Sequence, residues 1–367
     1  MVSKMKITNI QNHSFFIFII FFSYGCIIDQ SIKRDIMTIQ QKYIPDKSLG
    51  VFEISLVNNL ISNSISGYTS DSSAYSDLRL YADSMEIDFK IVLLPDEVLK
   101  DSVYGIVNVS VTPLKEEPSH KSQMVDQALM GYPVKLLRKV DEWYQCQTHY
   151  NYIGWINETA IYKGTTKDKK KWQSLATYKV IKMNSIVYSR PRTGSDPVND
   201  LVLNNRLIVL KKLLKWCEIL LPDGRTGFVK STDLTKINNQ KKININSLLT
   251  SAKNMMGVPY IWGGNSTKGN DCSGFTQTVF NTQNIQLPRD ARQQALLGTK
   301  IPLDESQPGD LFFFGNNNKI KHVGICINGK DFIHQGGKVA IHSLDPNSIR
   351  FNHHRKKTFL FVKRIKS

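Results

Sequence analysis

The chain has 367 residues, 48 of them Lys or Arg and 31 Asp or Glu, a formal net charge of +17 at pH 7. That length allows two or three domains with ample core, while its five cysteines exclude a disulfide framework in a chain of this size. The lysines are scattered with no aromatic-interleaved basic stripe, which speaks against nucleic acid as a partner; attraction to anionic envelope polymers or a membrane surface is the simpler use of the charge.

At the N-terminus, Lys4 and Lys6 precede an apolar run from Phe15 to Phe22, followed by Ser23-Tyr24-Gly25-Cys26. The run is too short to serve as a stable membrane anchor, and its basic start suits a secretory signal over residues 1–26. Cys26 directly after a small residue resembles a lipoprotein cleavage box, although Ser23 stands where Leu is usual. The resemblance implies lipidation of Cys26 and a membrane contact through that lipid. The alternative is an ordinary signal peptide with Cys26 incidental.

Residues 27–102 carry no catalytic signature and are expected to form an N-terminal cap or spacer. Ile54, Val57, Ile61 and Ile65 share one face of a predicted helix over 54–65. A polar loop is expected over 66–76, then a helix and a strand over 78–92.

From residue 103 the texture changes to short strands: Ile106 to Val111, Pro133 to Leu137, Trp143 to Cys146 and Ile153 to Ile156. The pattern recurs from Tyr178 to Leu234, and Gly154-Trp155-Ile156 lines up with Gly227-Phe228-Val229, so the segment is an internal repeat. Each copy, over 103–165 and 172–238, reads as a small all-β barrel, with a linker at Lys167 to Lys171. The pattern resembles bacterial SH3-like domains. Packing is the expected role of Trp143, Trp216 and Phe228, and Cys146, Cys217 and Cys326 are expected to be small buried hydrophobes.

Residues 243–367 carry the chemistry. A helix over 246–256 is closed by Gly257, and a Gly-rich loop leads to Asp271-Cys272-Ser273-Gly274-Phe275. Cys272, Phe275, Thr276, Val279 and Phe280 recur on one helix face, which makes Asp271 the N-cap and places Cys272 in the first turn. Free N–H groups and the helix dipole there favour a thiolate; a buried structural Cys is the plainer alternative. Downstream, His322 opens one strand of a predicted hairpin and His334 closes the other. A three-residue loop, Asn328 to Lys330, pairs Ile327 with Asp331 and sets His334 opposite Gly324, so that both imidazoles share a face. A Cys–His–orienter relay requires that placement.

The segments Tyr260 to Gly264, Asp271 to Phe275, Leu287-Pro288-Arg289, Gln307 to Phe314, His322 to Ile325 and Phe332-Ile333-His334 together resemble the NlpC-type cell-wall cysteine peptidases, across about the last 125 residues. The resemblance implies an α+β papain-like peptidase domain, here preceded by two small all-β SH3-like barrels, with the Cys-bearing helix packed on a small antiparallel sheet. It implies hydrolysis of peptidoglycan stem peptides or muropeptides, commonly at the bond between γ-D-glutamate and a diamino acid, with no cofactor and in the cell envelope. Carried over by position, Cys272 is the nucleophile, His322 the base and His334 the third member. Asp271 and Ser273 contact substrate, and Tyr260 helps to form the oxyanion site.

In relatives with a barrel at the groove end, a Tyr and an acid hold a free amine. Tyr152 fits the Tyr, but Gln123 stands where the acid is expected, leaving Asp126, Glu117 or Asp271 as substitutes. Arg289 either pairs with a substrate carboxylate or caps the helix that follows it. A zinc site from Cys272, His322, His334 and His342 lacks the usual ligand motifs, so no metal is expected, and His342, His353 and His354 read as surface or structural. The competing reading is a non-catalytic wall-binding lipoprotein, against which the intact Cys272, His322 and His334 stand.

Overall fold

The computed structural model describes residues 30–58, 63–238, 243–317 and 319–365, so the apolar run and Cys26 lie outside the described residues. The chain divides into two compact units, Met1–Asp96 and Glu97–Ser367.

In the first unit, helices α1 (30–43) and α2 (Ser72–Ser84) pack with a three-stranded sheet. The stretch expected to be helical over 54–65 contributes instead to a hairpin, Phe52–Asn58 pairing antiparallel with Asn63–Thr69. Phe52, Ile54 and Leu56 reach the core at a spacing of two, whereas Val57, which the helical face needed inside, is 40% exposed. The expected polar loop is shorter for the same reason. Its first residues finish the strand, and Asp71 caps α2 by accepting the Ala74 N–H at 2.8 Å. The helix and strand expected over 78–92 are present as α2 and Asp88–Leu93.

The second unit opens with two seven-stranded sheets. The first runs from Tyr104–Val107 to Ile161–Gly164 and the second from Tyr178–Val180 to Leu234–Lys236. Numbered along each segment, the strands are ordered 7-1-4-5-6-2-3 in both sheets, so the sequence repeat is a repeat of topology. Trp155 pairs with Lys115 and Phe228 with Tyr188, in each case on the second strand of the sheet. The preceding glycines allow that approach: a Cβ at Gly154 would meet Leu114 Cβ at 2.9 Å, and one at Gly227 would meet Val187 Cγ1 at 2.5 Å. The expected closure into barrels is not found. Each strand order has two ends, and bulges such as those at Leu136/Arg138 and Val209/Lys211 curve the strands without pairing the end ones.

Residues 167–171 connect the two copies as expected, but as part of a helix, α3 (Thr166–Leu175). Thr165 and Asp168 form a capping box, and the Trp172 indole N–H donates to the Gly131 carbonyl at 2.8 Å. A lysine run reads as a solvated linker, yet Lys is a good helix former and Trp172 supplies the buried face.

The C-terminal part combines α4 (Ile245–Asn254), α5 (Cys272–Asn281), α6 (Ala291–Gln294) and α7 (His353–Thr358) with a six-stranded antiparallel sheet. Its order is Thr299–Ile301, Phe359–Arg364, Leu311–Asn316, Lys319–Asn328, Asp331–Gln335, Val339–Ser343. α5 buries Phe275, Val279 and Phe280 against Leu311, Phe313, Val323, Ile325 and Ile333, the expected packing of the Cys-bearing helix on the sheet. The two preceding sheets grip the other side of this helix. Lys179 donates to the Asn281 and Thr282 carbonyls at 3.1 and 2.5 Å, and Asn204 to the Thr278 carbonyl at 2.9 Å. Cys146, Cys217 and Cys326 are buried and unpaired, as their sequence context suggests.

Candidate active site

Asp271 caps α5 as expected, its Oδ1 accepting the Gly274 N–H at 2.8 Å, and Cys272 opens the helix. The charge state differs from the sequence expectation of a thiolate. Burial first, then the Asp271 carboxylate, push the Cys272 thiol up to about 11, against the opposing pull of the Val323 and Ser273 backbone N–H groups and of Arg289. In that direction the buried sulfur is held as a thiol rather than the thiolate that the helix start alone would favour.

The Val323 N–H beside Cys272 belongs to the strand that carries His322. His334 lies opposite Gly324, as the sequence requires. The route to this register is different: Asn328, not Ile327, pairs with Asp331, and the odd residue is taken up as a bulge between Cys326 and Asn328. The outcome for the histidines is the same. At Gly324 a Cβ would come within 2.9 Å of His334 Cβ, so only glycine leaves room for two imidazoles.

His322 Nε2 lies 2.8 Å from His334 Nδ1, and His334 Nε2 lies 2.8 Å from His342 Nδ1. His342 was expected to be surface or structural, and the structure instead makes it the third imidazole in line. Strand alternation was the available signal: His342 pairs with Phe332 and Ala340 with His334, so His334 and His342 point to the same face. Burial, with the neighbouring His334 and Arg355, holds His322 well below the usual histidine value. Burial, with Arg355 and His342, pushes His334 down to about 3. Both imidazoles are neutral at rest.

Two grooves meet at Tyr260 and Lys321. One is lined by Cys272, Asp271, Ser273, Tyr152 and Gln123, and so gathers the expected substrate-contact residues Tyr152, Tyr260, Asp271 and Ser273. Trp262, 61% exposed, lines it as well rather than joining a core. The other groove is lined by His322 but not Cys272.

The acids near Gln123 are arranged differently from the sequence expectation. Asp126 is fully buried, with Oδ1 2.6 Å from Arg289 Nε, and it also accepts from Tyr150 and Asn265, so it has no freedom to meet a ligand amine. Asp271 is likewise engaged, by Arg289 Nη2 at 2.6 Å and the Gly263 N–H at 3.0 Å. Arg289 thus neither awaits a substrate carboxylate nor caps α6; that cap is Asp290, in a capping box with Gln293. Glu117 is not among the groove residues, whereas Asp290, which sequence reasoning missed, is. Asp290 accepts the Tyr152 hydroxyl at 3.3 Å and Arg292 at 3.1 Å.

Known families match two parts of the chain: the NlpC/P60 family over residues 257–358, and the bacterial dipeptidyl-peptidase Sh3 domain over residues 114–161, within the first of the two sheets. A Haemophilus influenzae protein named probable endopeptidase NlpC homolog is 37% identical over 159 residues, covering 42% of this chain and 80% of that protein. The chain belongs to the NlpC/P60 family. As a member it is a cysteine peptidase of the peptidoglycan-hydrolysing kind. A Bacillus cereus relative named gamma-D-glutamyl-L-lysine dipeptidyl-peptidase is 29% identical over 231 residues, covering 59% of this chain and 68% of the relative. The fold is shared with the crystal structure of an NlpC/P60 family protein from Bacillus cereus, at a TM-score of 0.62 and 22% identity over 72% of this chain and 100% of that one.

Proposed function

We propose that the protein hydrolyses the amide between γ-D-glutamate and a diamino acid in peptidoglycan stem peptides, with Cys272 as nucleophile, His322 as base and His334 as the group that orients it. The observation that carries this reading is the hydrogen-bonded line from His322 through His334 to His342, starting on the strand beside Cys272. With Nε2–H of His322 donating to His334, and Nε2–H of His334 donating to His342, Nδ1 of His322 is left free to accept the thiol proton. The sulfur then attacks the carbonyl carbon, His322 passes the proton to the leaving amine, and water hydrolyses the thioester. The Cys272 backbone N–H, free at the helix start, and Tyr260 are the donors for the developing oxyanion.

On the acyl side, Tyr152 and Ser273 hold the substrate beside Asp271, which Arg289 keeps fixed in the groove wall, and Asp290 supplies the carboxylate that Gln123 lacks for a free N-terminal amine. The name of the Bacillus cereus relative supports the bond, and the Sh3 match supports a groove closed by the first sheet. We assign residues 1–26 as an export signal with Cys26 lipidated in the envelope, 27–102 as a cap, 103–165 and 172–238 as SH3-like domains and 243–367 as the peptidase. Among the described residues no helix is long and apolar enough to cross a membrane.

The test is mass spectrometry of defined muropeptides, with and without an N-terminal L-Ala, incubated with residues 27–367 and with the Cys272→Ala variant. Cleavage after γ-D-glutamate by the parent alone is expected. If neither peptide is cut while both proteins bind wall fragments equally, the chain is a binding module and the peptidase assignment of this site fails.

A further inference from the structure

The second groove, beside the one that holds Cys272, has a chemistry that the acyl side does not explain. It is lined by His322, Tyr260, Phe314, Lys321, Gly336 and Arg355 among others, and no acidic side chain lines it. Arg355 sits on α7, half-buried, with its guanidinium 5.6 Å from the centre of the Phe314 ring and its Nη2 3.5 Å from where a Cβ at Gly336 would stand. The other arginines of the C-terminal part each have a carboxylate: Arg289 has Asp126 and Asp271, Arg292 has Asp290, Arg350 has Asp331 and Arg364 has Asp310. Among the described residues, Arg355 has none. A guanidinium drawn partly out of water with no anion to meet it is a cost that a ligand anion would offset.

The reaction decides which part of a substrate reaches this groove. The base must return its proton to the departing nitrogen, so the leaving residue lies on the His322 side, while the acyl portion stays bonded to Cys272. We propose that this groove is the leaving-residue subsite and that Arg355, supported by the charge of Lys321, binds a free carboxylate on the residue whose amine departs. This rests on the peptidase reading above and adds a preference to it: the enzyme favours stems in which the diamino acid carries a free carboxylate over stems in which that group is an amide or continues into peptide. A planar guanidinium suits this role because it meets both carboxylate oxygens at once, which an ammonium does not.

The test uses residues 27–367 and three peptides: L-Ala-γ-D-Glu-L-Lys, its C-terminal amide, and the analogue with meso-diaminopimelate whose α-carboxyl is amidated and whose distal carboxyl is free. The expected result is a kcat/KM at least about tenfold higher for the free acid than for the amide, with that ratio falling toward one in Arg355→Gln and partly recovered in Arg355→Lys. Cleavage of the diaminopimelate analogue at the rate of the free acid would assign the distal carboxylate to Arg355; cleavage at the rate of the lysine amide would assign the α-carboxylate. A parent that cuts acid and amide equally, or an Arg355→Gln variant that keeps the parent ratio, overturns the subsite. Because the ratio is taken within one protein, a variant that is only partly folded does not mimic the expected result. A parent that cuts none of the three overturns the peptidase reading itself, and the subsite with it.

Discussion

Cys272 and His322 are both held toward their neutral forms: burial and the Asp271 carboxylate outweigh the helix start at the thiol, and at His322 burial acts together with the neighbouring His334 and Arg355. This sets the acid behaviour. An ordinary histidine takes up a proton near 6.5, whereas His322 is held well below that value, and in the proposed role of base it stays able to accept one from the thiol. The acid limb of kcat/KM, which reports the free enzyme, is therefore expected to have its midpoint below 6.5, measured with a defined muropeptide; a midpoint at or above it would mean that the imidazolium finds stabilisation the structure does not contain. The same burial acts on stability with a definite sign. In the unfolded chain His334 binds a proton near 6.5 and in the folded chain only near 3, so its contribution is present above 6.5 and lost as pH falls from there toward 3.

Among the elements, α5 is held at both ends by groups from the preceding sheets. Its N-terminus is fixed through Asp271 to Arg289 and on to Asp126 of the first sheet, and its C-terminal carbonyls are met by Lys179 of the second. Removing Arg289 leaves the Asp126 carboxylate buried without its cation, a change that costs about 3–5 kcal/mol. Arg289→Met is thus expected to lower Tm by roughly 10 °C in scanning calorimetry. Asp126→Asn is expected to lower it less, since Arg289 keeps Asp271. Equal losses from the two variants would show that Asp126, not Asp271, anchors the guanidinium.

In the whole molecule, residues 97–367 form one compact unit and residues 1–96 another. The peptidase part owes its buried partners to both sheets: the Asn265 backbone N–H donates to the Gln127 side chain and its amide to Asp126, Asn281 donates to the Tyr132 hydroxyl, and Asn204 from the second sheet donates to the Thr278 carbonyl. A 97–367 fragment is accordingly expected to melt cooperatively and to cleave muropeptides as the 27–367 protein does. A 243–367 fragment, stripped of those partners, is expected to melt at a lower temperature or not to fold, as read by circular dichroism. A fully stable 243–367 fragment would reduce the sheets to a covering of the groove.

The Cys272 helix, its Asp271 cap, the facing histidines and the repeated sheets were legible in the sequence because they depend on short-range rules: the helical period after Cys272, a cap one residue before it, and strand alternation that sets His334 opposite Gly324. Where the sequence misled, two local patterns fitted equally well or composition stood in for packing. Ile54 and Leu56 suit a strand as well as a helix, and nothing in the Lys167 to Lys171 composition says that this connection is a helix anchored by Trp172 on Gly131. What only the tertiary structure decided is everything that depends on segments far apart in the chain. Arg289 lies 163 residues from Asp126 yet is enclosed with it, His342 arrives on a strand from outside the recognisable motifs, and the protonation state of Cys272 follows from how deeply the folded chain buries it. Residue type and spacing determine which chemistry is available, but burial and long-range pairing determine the charge each group carries, since desolvation is a property of the assembled interior and of no single segment.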